Sequence, residues 1–423
     1  MAASTPARDL TPDIAGMPRV DPAEVGLDIE RLRRMESHFA RYLDANLLTS
    51  WHVTVARAGQ IAYSSGAGLA DRENNRPISS DSIWRIFSMT KPITAVAALM
   101  LWEEGKFEMR DPVSKFIPSF GESQVWRSGT SVKPELEPQT APMQMWHLFT
   151  HTAGLTYGFM YSHPVDELYR RAGMEWGFPS ELDLAGVCDL LAAQPLLFQP
   201  GAEWNYSTSI DVLGRVVEIL SGQQLGAFFQ DRIFGPLGMT DTAFVIPESK
   251  GDRAAALYFA TPGTLLAARN ESADKRIHVE PKAHGGGGGL FSTMADYVRF
   301  AEMLRRGGEF NGHRLLSPRT VSYMASNHLP GNADLTAFGR PLFAETTYDG
   351  IGFGLGVSVT LDPVANKAPG SVGDFGWGGA ASTWFLVDPV EDIMLTFMTQ
   401  LMPSSTHPLR SQLKQLLHQA LID

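Results

Sequence analysis

Ser88-Met89-Thr90-Lys91 sets a hydroxyl and an amine three residues apart, a spacing that places both side chains on one face of a helix. The chemistry such a pair can do is acyl transfer. A serine hydroxyl becomes a nucleophile when a neighbouring base takes its proton, and a lysine serves as that base once its surroundings have removed its own. The same spacing recurs at Ser272-Ala273-Asp274-Lys275 and Ser411-Gln412-Leu413-Lys414, so context has to choose. Ser272 stands in the polar, turn-like stretch Arg269 to Arg276, and Ser411 in an amphipathic C-terminal helix with the stripe Leu409, Leu413, Leu416, Leu417 and Leu421. Ser88 instead follows Ile83-Trp84-Arg85-Ile86-Phe87 and precedes an apolar helix from Pro92 to Trp102, ending near Gly105. Pro92 is tolerated because the first helical turn has no partners for its N–H groups. The positive end of that helix favours negative charge developing at Ser88.

The flanking segments are the ones that must hold this pair in place. A helix capped by Asp28 carries Ile29, Leu32, Met35, Phe39, Tyr42 and Leu43 at helical spacing, behind a Pro-rich tail read as extended over the surface. A hairpin follows, with strands Trp51 to Ala56 and Ile61 to Ser65 around the turn Arg57-Ala58-Gly59-Gln60. Residues 106–283 read mainly as helices and loops, broken at Pro118, Pro179, Pro200-Gly201 and Pro236-Leu237-Gly238. Beyond the run Gly285 to Gly289, a helix starts at Ser292 or Thr293 and turns Val298, Phe300 and Leu304 inward. Strands are predicted at Ile351 to Thr360, Ala381 to Val387 and Ile393 to Leu401, the last two joined at Asp388-Pro389. The pattern predicts an α/β protein of the α+β type. Residues 1–105 and 284–423 would build one antiparallel sheet flanked by helices, residues 106–283 a mainly helical inserted domain, and the active cleft would lie between them.

Bulk properties narrow the partners. The 423 residues exceed what one hydrophobic core usually supports. Thirty-five Lys and Arg against 46 Asp and Glu give a net charge of −11 with no basic cluster, which argues against nucleic acid and anionic membranes as partners. The single cysteine, Cys188, lies in an apolar helical setting and reads as a packed thiol. The first residues lack a signal-peptide pattern and no run approaches 18 apolar residues, so a soluble, cytoplasmic protein is expected.

Six segments occur in a fixed order: Phe87-Ser88-Met89-Thr90-Lys91-Pro92, Leu148-Phe149-Thr150-His151-Thr152-Ala153-Gly154-Leu155, Pro200-Gly201 with Tyr206-Ser207, Pro236-Leu237-Gly238-Met239, Gly287-Gly288-Gly289-Leu290-Phe291-Ser292-Thr293, and Trp377-Gly378-Gly379. Over nearly its whole length the chain resembles the serine β-lactamase and penicillin-binding-protein superfamily, and within it the family VIII carboxylesterases related to class C β-lactamases. That resemblance implies a β-lactamase/transpeptidase-like fold and a catalytic set of Ser88, Lys91 and Tyr206, with no metal or organic cofactor. It also implies an oxyanion hole made by the backbone N–H groups of Ser88 and Ala380. Tyr206 would exchange a proton with the serine oxygen, and a phenol beside cations is expected to ionise early enough to act as a base. Thr208 stands where β-lactamases carry Asn. Trp377-Gly378-Gly379 stands where penicillin-binding enzymes carry Lys-Thr-Gly, so a cation is replaced by an apolar wall and a neutral ester is preferred to an anionic β-lactam. Trp377, Gly378 and Gly379, together with Tyr157, are the implied substrate-binding residues.

Other signals carry less. His147 and His151 have the i, i+4 spacing of a metal pair, but the Glu of the zinc-protease motif is missing and His151 reads as a buried structural histidine. The glycine run has no following Lys-Ser or Lys-Thr to cradle a phosphate, and no Gly-x-Ser-x-Gly marks a nucleophile elbow. The expected activity is a serine carboxylesterase acting on short-chain, uncharged, small-molecule esters through an acyl-enzyme on Ser88. A β-lactamase, a D-aminopeptidase or amidase, or an acyltransferase would use the same nucleophile. These features leave the oligomeric state open.

Overall fold

A computed structural model describes residues 6–422; the first five residues of the Pro-rich tail lie outside that range. The principal elements are helix α1 (Arg34–Asp44), strands β1 (Ser50–Arg57) and β2 (Gln60–Asp71), helices α2 (Thr90–Glu103), α3 (Ser209–Ser221) and α4 (Met294–Arg305), strands β3 (Phe375–Gly378), β4 (Trp384–Asp388) and β5 (Ile393–Met398), and helix α5 (Leu409–His418). One nine-stranded antiparallel sheet joins both ends of the chain. Its path runs from Arg8–Asp9 through β2, β1, β5, β4 and β3 to Ser358–Thr360 and Ile351–Phe353, with Arg76–Pro77 paired to β2. The register that matters most sets Arg57 opposite Ile393 and Val53 opposite Phe397, across the seam between the two terminal segments.

Strand alternation divides the core. Ile393, Leu395 and Phe397 of β5 point to a layer formed with Trp51, Val53 and Val55 and covered by Phe39 of α1 and Leu409, Leu413 and Leu417 of α5. Met394 and Met398 point the other way, where Phe385 and Val387 meet Tyr297, Val298, Phe300 and Ala301 of α4. Helix α2 lies deeper still. Every residue from Thr90 to Leu101 is buried, as expected of a helix that is apolar all round.

The structure departs from the sequence reading in several places, among them the strand expected from Ala381, which begins only at Trp384. Ile351 to Thr360 is not one strand but a hairpin of Ile351–Phe353 against Ser358–Thr360. Gly354 and Gly356 break it: Gly356 has φ +85° and Gly354 N donates to Val357 O at 2.8 Å, closing a turn. The N-terminal tail is more than a surface cover, since Arg8–Asp9 extends the sheet edge and Leu10, Ile14 and Met17 are buried. Within residues 106–283, strands Gln124–Gly129 and Pro134–Pro138 form a hairpin, and Tyr258–Ala260 pairs with Leu401–Met402 beside the main sheet. No helix among the described residues is long and apolar enough to cross a membrane.

Candidate active site

The Ser88 segment is delivered by a short strand, Ile83–Arg85, paired antiparallel with Phe291–Thr293. It then makes a 3₁₀ turn, Phe87–Met89, before α2 begins at Thr90. Ser88 therefore sits in the turn leading into the helix, one step before the N-terminus expected for it. Phe87 adopts φ +43°, a left-handed conformation that is costly for a bulky residue and clusters at functional sites. Lys91, in the first turn of α2, is wholly buried and places Nζ 3.1 Å from Ser88 Oγ. Its second partner is the carbonyl of Gly287, at 2.6 Å.

Tyr206 stands in the loop before α3, and its hydroxyl donates to Ser88 Oγ at 2.5 Å. The Leu148–Leu155 segment shapes that loop. Asn205 N donates to His151 O at 2.9 Å, Leu197 N to Gly154 O at 2.7 Å and Gly201 N to Thr152 O at 2.8 Å. Gly154, at φ +83°, has Phe198 O only 2.6 Å from where a Cβ would lie. His151 is buried, pairs with Ser207 Oγ at 3.2 Å and sets its ring edge-on to Tyr206 at 5.0 Å. His147 instead accepts the Gln144 N–H as a helix cap, so the two histidines do separate structural work.

Burial sets the protonation states. It lowers the Lys91 ammonium to about 8, with the charges of Asp211 and Glu345 acting the other way. It pushes the Tyr206 phenol well above its ordinary range, aided by Glu345 and opposed by the Ser88 hydrogen bond. The expectation that Tyr206 ionises early is therefore overturned: the loss of solvent outweighs the nearby cations. His151 is held well below its usual value by burial and then by the Lys91 charge.

Asp211 was not singled out from the sequence. It lies in the first turn of α3, buried, and accepts Gly287 N–H at 2.8 Å, while Gly287 O faces Lys91. A Cβ on Gly287 would lie 2.4 Å from Asp211 Oδ2, so the glycine run is needed for the chain to thread between α2 and α3. Burial pushes the Asp211 carboxyl up to about 6. The signal that marks it is a lone charge within the run Ile210, Val212 and Leu213, in the first turns of α3, which are buried all round.

The third motif lies at the end of β3. Trp377, expected as an apolar wall for substrate, has no exposed surface. Alternation along β3 points it inward with Phe375, where its ring packs edge-on behind Tyr206 at 5.5 Å and against Phe353 at 5.3 Å. Trp377→Ala should therefore cost stability, about 3–5 kcal/mol by denaturant unfolding. A change in KM with unaltered stability would return it to the role of a substrate wall. Gly378 and Gly379 make room for protein atoms: a Cβ on Gly378 would lie 2.1 Å from Arg410 Nη2, and one on Gly379 2.3 Å from Ile86 O. The turn from Gly379 to Thr383 thus rests on the backbone just before Ser88, closed by Gly379 N to Thr383 O at 2.9 Å and presenting Ala380.

Tyr157 is partly buried and lies edge-on to Tyr206 at 5.2 Å, with Lys91 Nζ 5.4 Å from its ring centre. Phe159 stacks on it at 4.7 Å, and Trp176, 64% exposed, stacks on Phe159 at 5.1 Å. An aromatic wall thus runs from the nucleophile to the surface. The other two serine–lysine matches are not paired sites. Ser272 bonds Asn270 and Ser411 bonds Pro408 O, while Lys414 forms a buried ion pair with Asp374 at 2.8 Å. Cys188 is buried, and burial raises its thiol well above the usual range.

Comparison with known proteins finds relatives along most of the chain. An uncharacterized protein of Mycobacterium tuberculosis is 34% identical over 85% of this chain and 88% of its own length. Esterase EstB of Burkholderia gladioli is 32% identical over 87% of this chain and 90% of its own. Among solved structures, EstCE1, described as a hydrolase with promiscuous acyltransferase activity, superposes with a TM-score of 0.76 at 26% identity, covering 95% of this chain and 99% of that one. The β-lactamase family model matches residues 35–419. With that match spanning most of its length and relatives above 30% identity over more than four-fifths of it, the chain belongs to the β-lactamase family.

Proposed function

We propose that this protein is a serine carboxylesterase that hydrolyses short-chain, uncharged esters through an acyl-enzyme on Ser88. The observation that carries the reading is the single oxygen, Ser88 Oγ, held at once by Lys91 Nζ at 3.1 Å and Tyr206 OH at 2.5 Å in a buried pocket. Neutral Lys91 takes the Ser88 proton as Oγ attacks the ester carbonyl carbon. The N–H groups of Ser88 and Ala380 receive the oxyanion. As the C–O bond breaks, the Tyr206 phenol hands a proton to the departing alcohol and is recharged from Lys91. Water then repeats the sequence on the acyl-enzyme, with Lys91 again as base. A phenol that stays protonated suits this donor role better than that of base.

Two features favour an uncharged ester. No lysine stands where a carboxylate-binding cation would be expected, and aromatic rings line the approach from Trp176 to Tyr206. The description of EstCE1 supports a second capacity, passing the acyl group to an alcohol in place of water. Labelling with a fluorophosphonate followed by peptide mapping tests the nucleophile, and the adduct is expected on Ser88. Modification elsewhere, or none, overturns the assignment. Nitrophenyl esters, a chromogenic cephalosporin and a D-aminoacyl amide assayed together should rank in that order of kcat/KM. A cephalosporin or amide in first place would reverse the substrate reading.

A further inference from the structure

Arg410, on α5, and Glu345, in the loop between Gly339 and Tyr348, belong to none of the recognised motifs, yet they meet at the third one. Arg410 Nη1 donates to Glu345 O at 2.6 Å, and Nη2 donates to the Glu345 carboxylate and to Gly379 O at 3.2 Å, with Thr383 O at 3.5 Å. Glu345 is 1% exposed; its Oε2 also accepts Ser404 Oγ at 2.7 Å, while Oε1 has no partner. Both carbonyls held by Arg410 in the third motif are ends of the turn that presents Ala380. The glycine at 378 leaves the space that the guanidinium fills. A buried carboxylate and a planar five-donor fork are the means by which a protein fixes backbone carbonyls in a set geometry.

We propose that the Arg410–Glu345 pair is a positioning device for the esterase, locking the Gly379–Thr383 turn against the Ile86–Ser88 backbone so that the Ala380 N–H is aimed at the oxyanion. This rests on the acyl-enzyme reading above. The pair has a second consequence. It cancels the one guanidinium bound to the third motif, so a cation is present there but carries no free charge for a substrate carboxylate. Glu345 also acts on Lys91 through space, together with Asp211 of α3. The remaining groups facing Lys91 are the Ser88 hydroxyl, the Gly287 carbonyl, the phenols of Tyr206 and Tyr157, and His151.

The test uses the full-length protein and three variants, Arg410→Ala, Arg410→Lys and Glu345→Gln, assayed on a nitrophenyl ester with thermal unfolding recorded for each. Arg410→Ala is expected to lower kcat about 100-fold, the scale of losing one oxyanion donor, with KM within threefold. Arg410→Lys should fall between it and the native enzyme, because a single ammonium cannot serve both carbonyls and the carboxylate. Should Arg410→Ala fail to fold, the lysine variant carries the same comparison. Glu345→Gln keeps the shape but removes the smaller of the two carboxylate charges, after Asp211, that favour protonated Lys91, so the acid limb of kcat/KM should move down by about half a pH unit or more. A purely structural role would leave that limb in place. A kcat within threefold of native in every folded Arg410 variant, or an unmoved limb in Glu345→Gln, overturns the proposal. Fluorophosphonate labelling of the native protein separates the two readings: labelled Ser88 with unaffected variants defeats the positioning pair alone, whereas an unlabelled Ser88 defeats the esterase reading on which it rests.

Discussion

Ser88→Ala is expected to abolish hydrolysis of short-chain aryl esters and fluorophosphonate labelling while leaving the protein folded. The alanine removes the only atom shared by Lys91 and Tyr206. Without it no acyl-enzyme forms, and the residual rate should be that of water attacking an ester bound near the oxyanion donors. The fold should tolerate the change because Lys91 keeps its bond to Gly287 O and α2 keeps its apolar packing. Near-native activity in a purified, folded Ser88→Ala variant would mean that the nucleophile is elsewhere.

Lys91→Ala and Tyr206→Phe are each expected to lower kcat by about 100-fold or more, the range for a lost general acid or base. They should differ in pH dependence. Below about pH 8 the native Lys91 is an ammonium and has no lone pair for the Ser88 proton, so kcat/KM should fall as pH drops through that value and level off above it. Tyr206→Phe should keep that acid limb, because Lys91 is still present, whereas Lys91→Ala should lose it. A tenfold or smaller loss in both variants would place the base on another residue. Lys91→Met makes the complementary point about stability. The buried ammonium is a cost to the fold, and an apolar side chain of similar length should hold or raise Tm while removing activity.

Ser88 and Lys91 stand out in the sequence as a spaced pair ahead of an apolar helix, whereas Tyr206 joins them there only through the order of motifs that the family resemblance supplies. The two-ended sheet was legible because strand-like runs stand near both ends of the sequence around a helix-rich middle. What could not be read was any role set by residues distant in sequence. Gly378 looks like a residue that admits substrate until α5 folds over it and lays Arg410 in the space. Trp377 reads as an apolar wall for substrate because its sequence neighbours say nothing of Tyr206 and Phe353, which pack against it from other parts of the chain. Glu345 lies in a loop without periodicity, and its partner is 65 positions away. Asp211 is the intermediate case, a charge out of place in an apolar helical run. The phenol of Tyr206 shows the same limit in electrostatics: cations nearby can be guessed from motifs, but the depth of burial that outweighs them appears only in three dimensions.

The seam between β1 and β5 fixes when the candidate site can first form. Val53 pairs with Phe397, so during synthesis the first hairpin waits for the distant segment around Phe397 before its neighbouring strand exists. Until then it has an open edge, which favours wrong pairings and binding by chaperones. Ser88 and Lys91 are made early, whereas the turn bearing Ala380 and the helix bearing Arg410 are made much later. A nascent chain that still lacks those segments therefore holds the serine and the lysine without the neighbours that complete their surroundings.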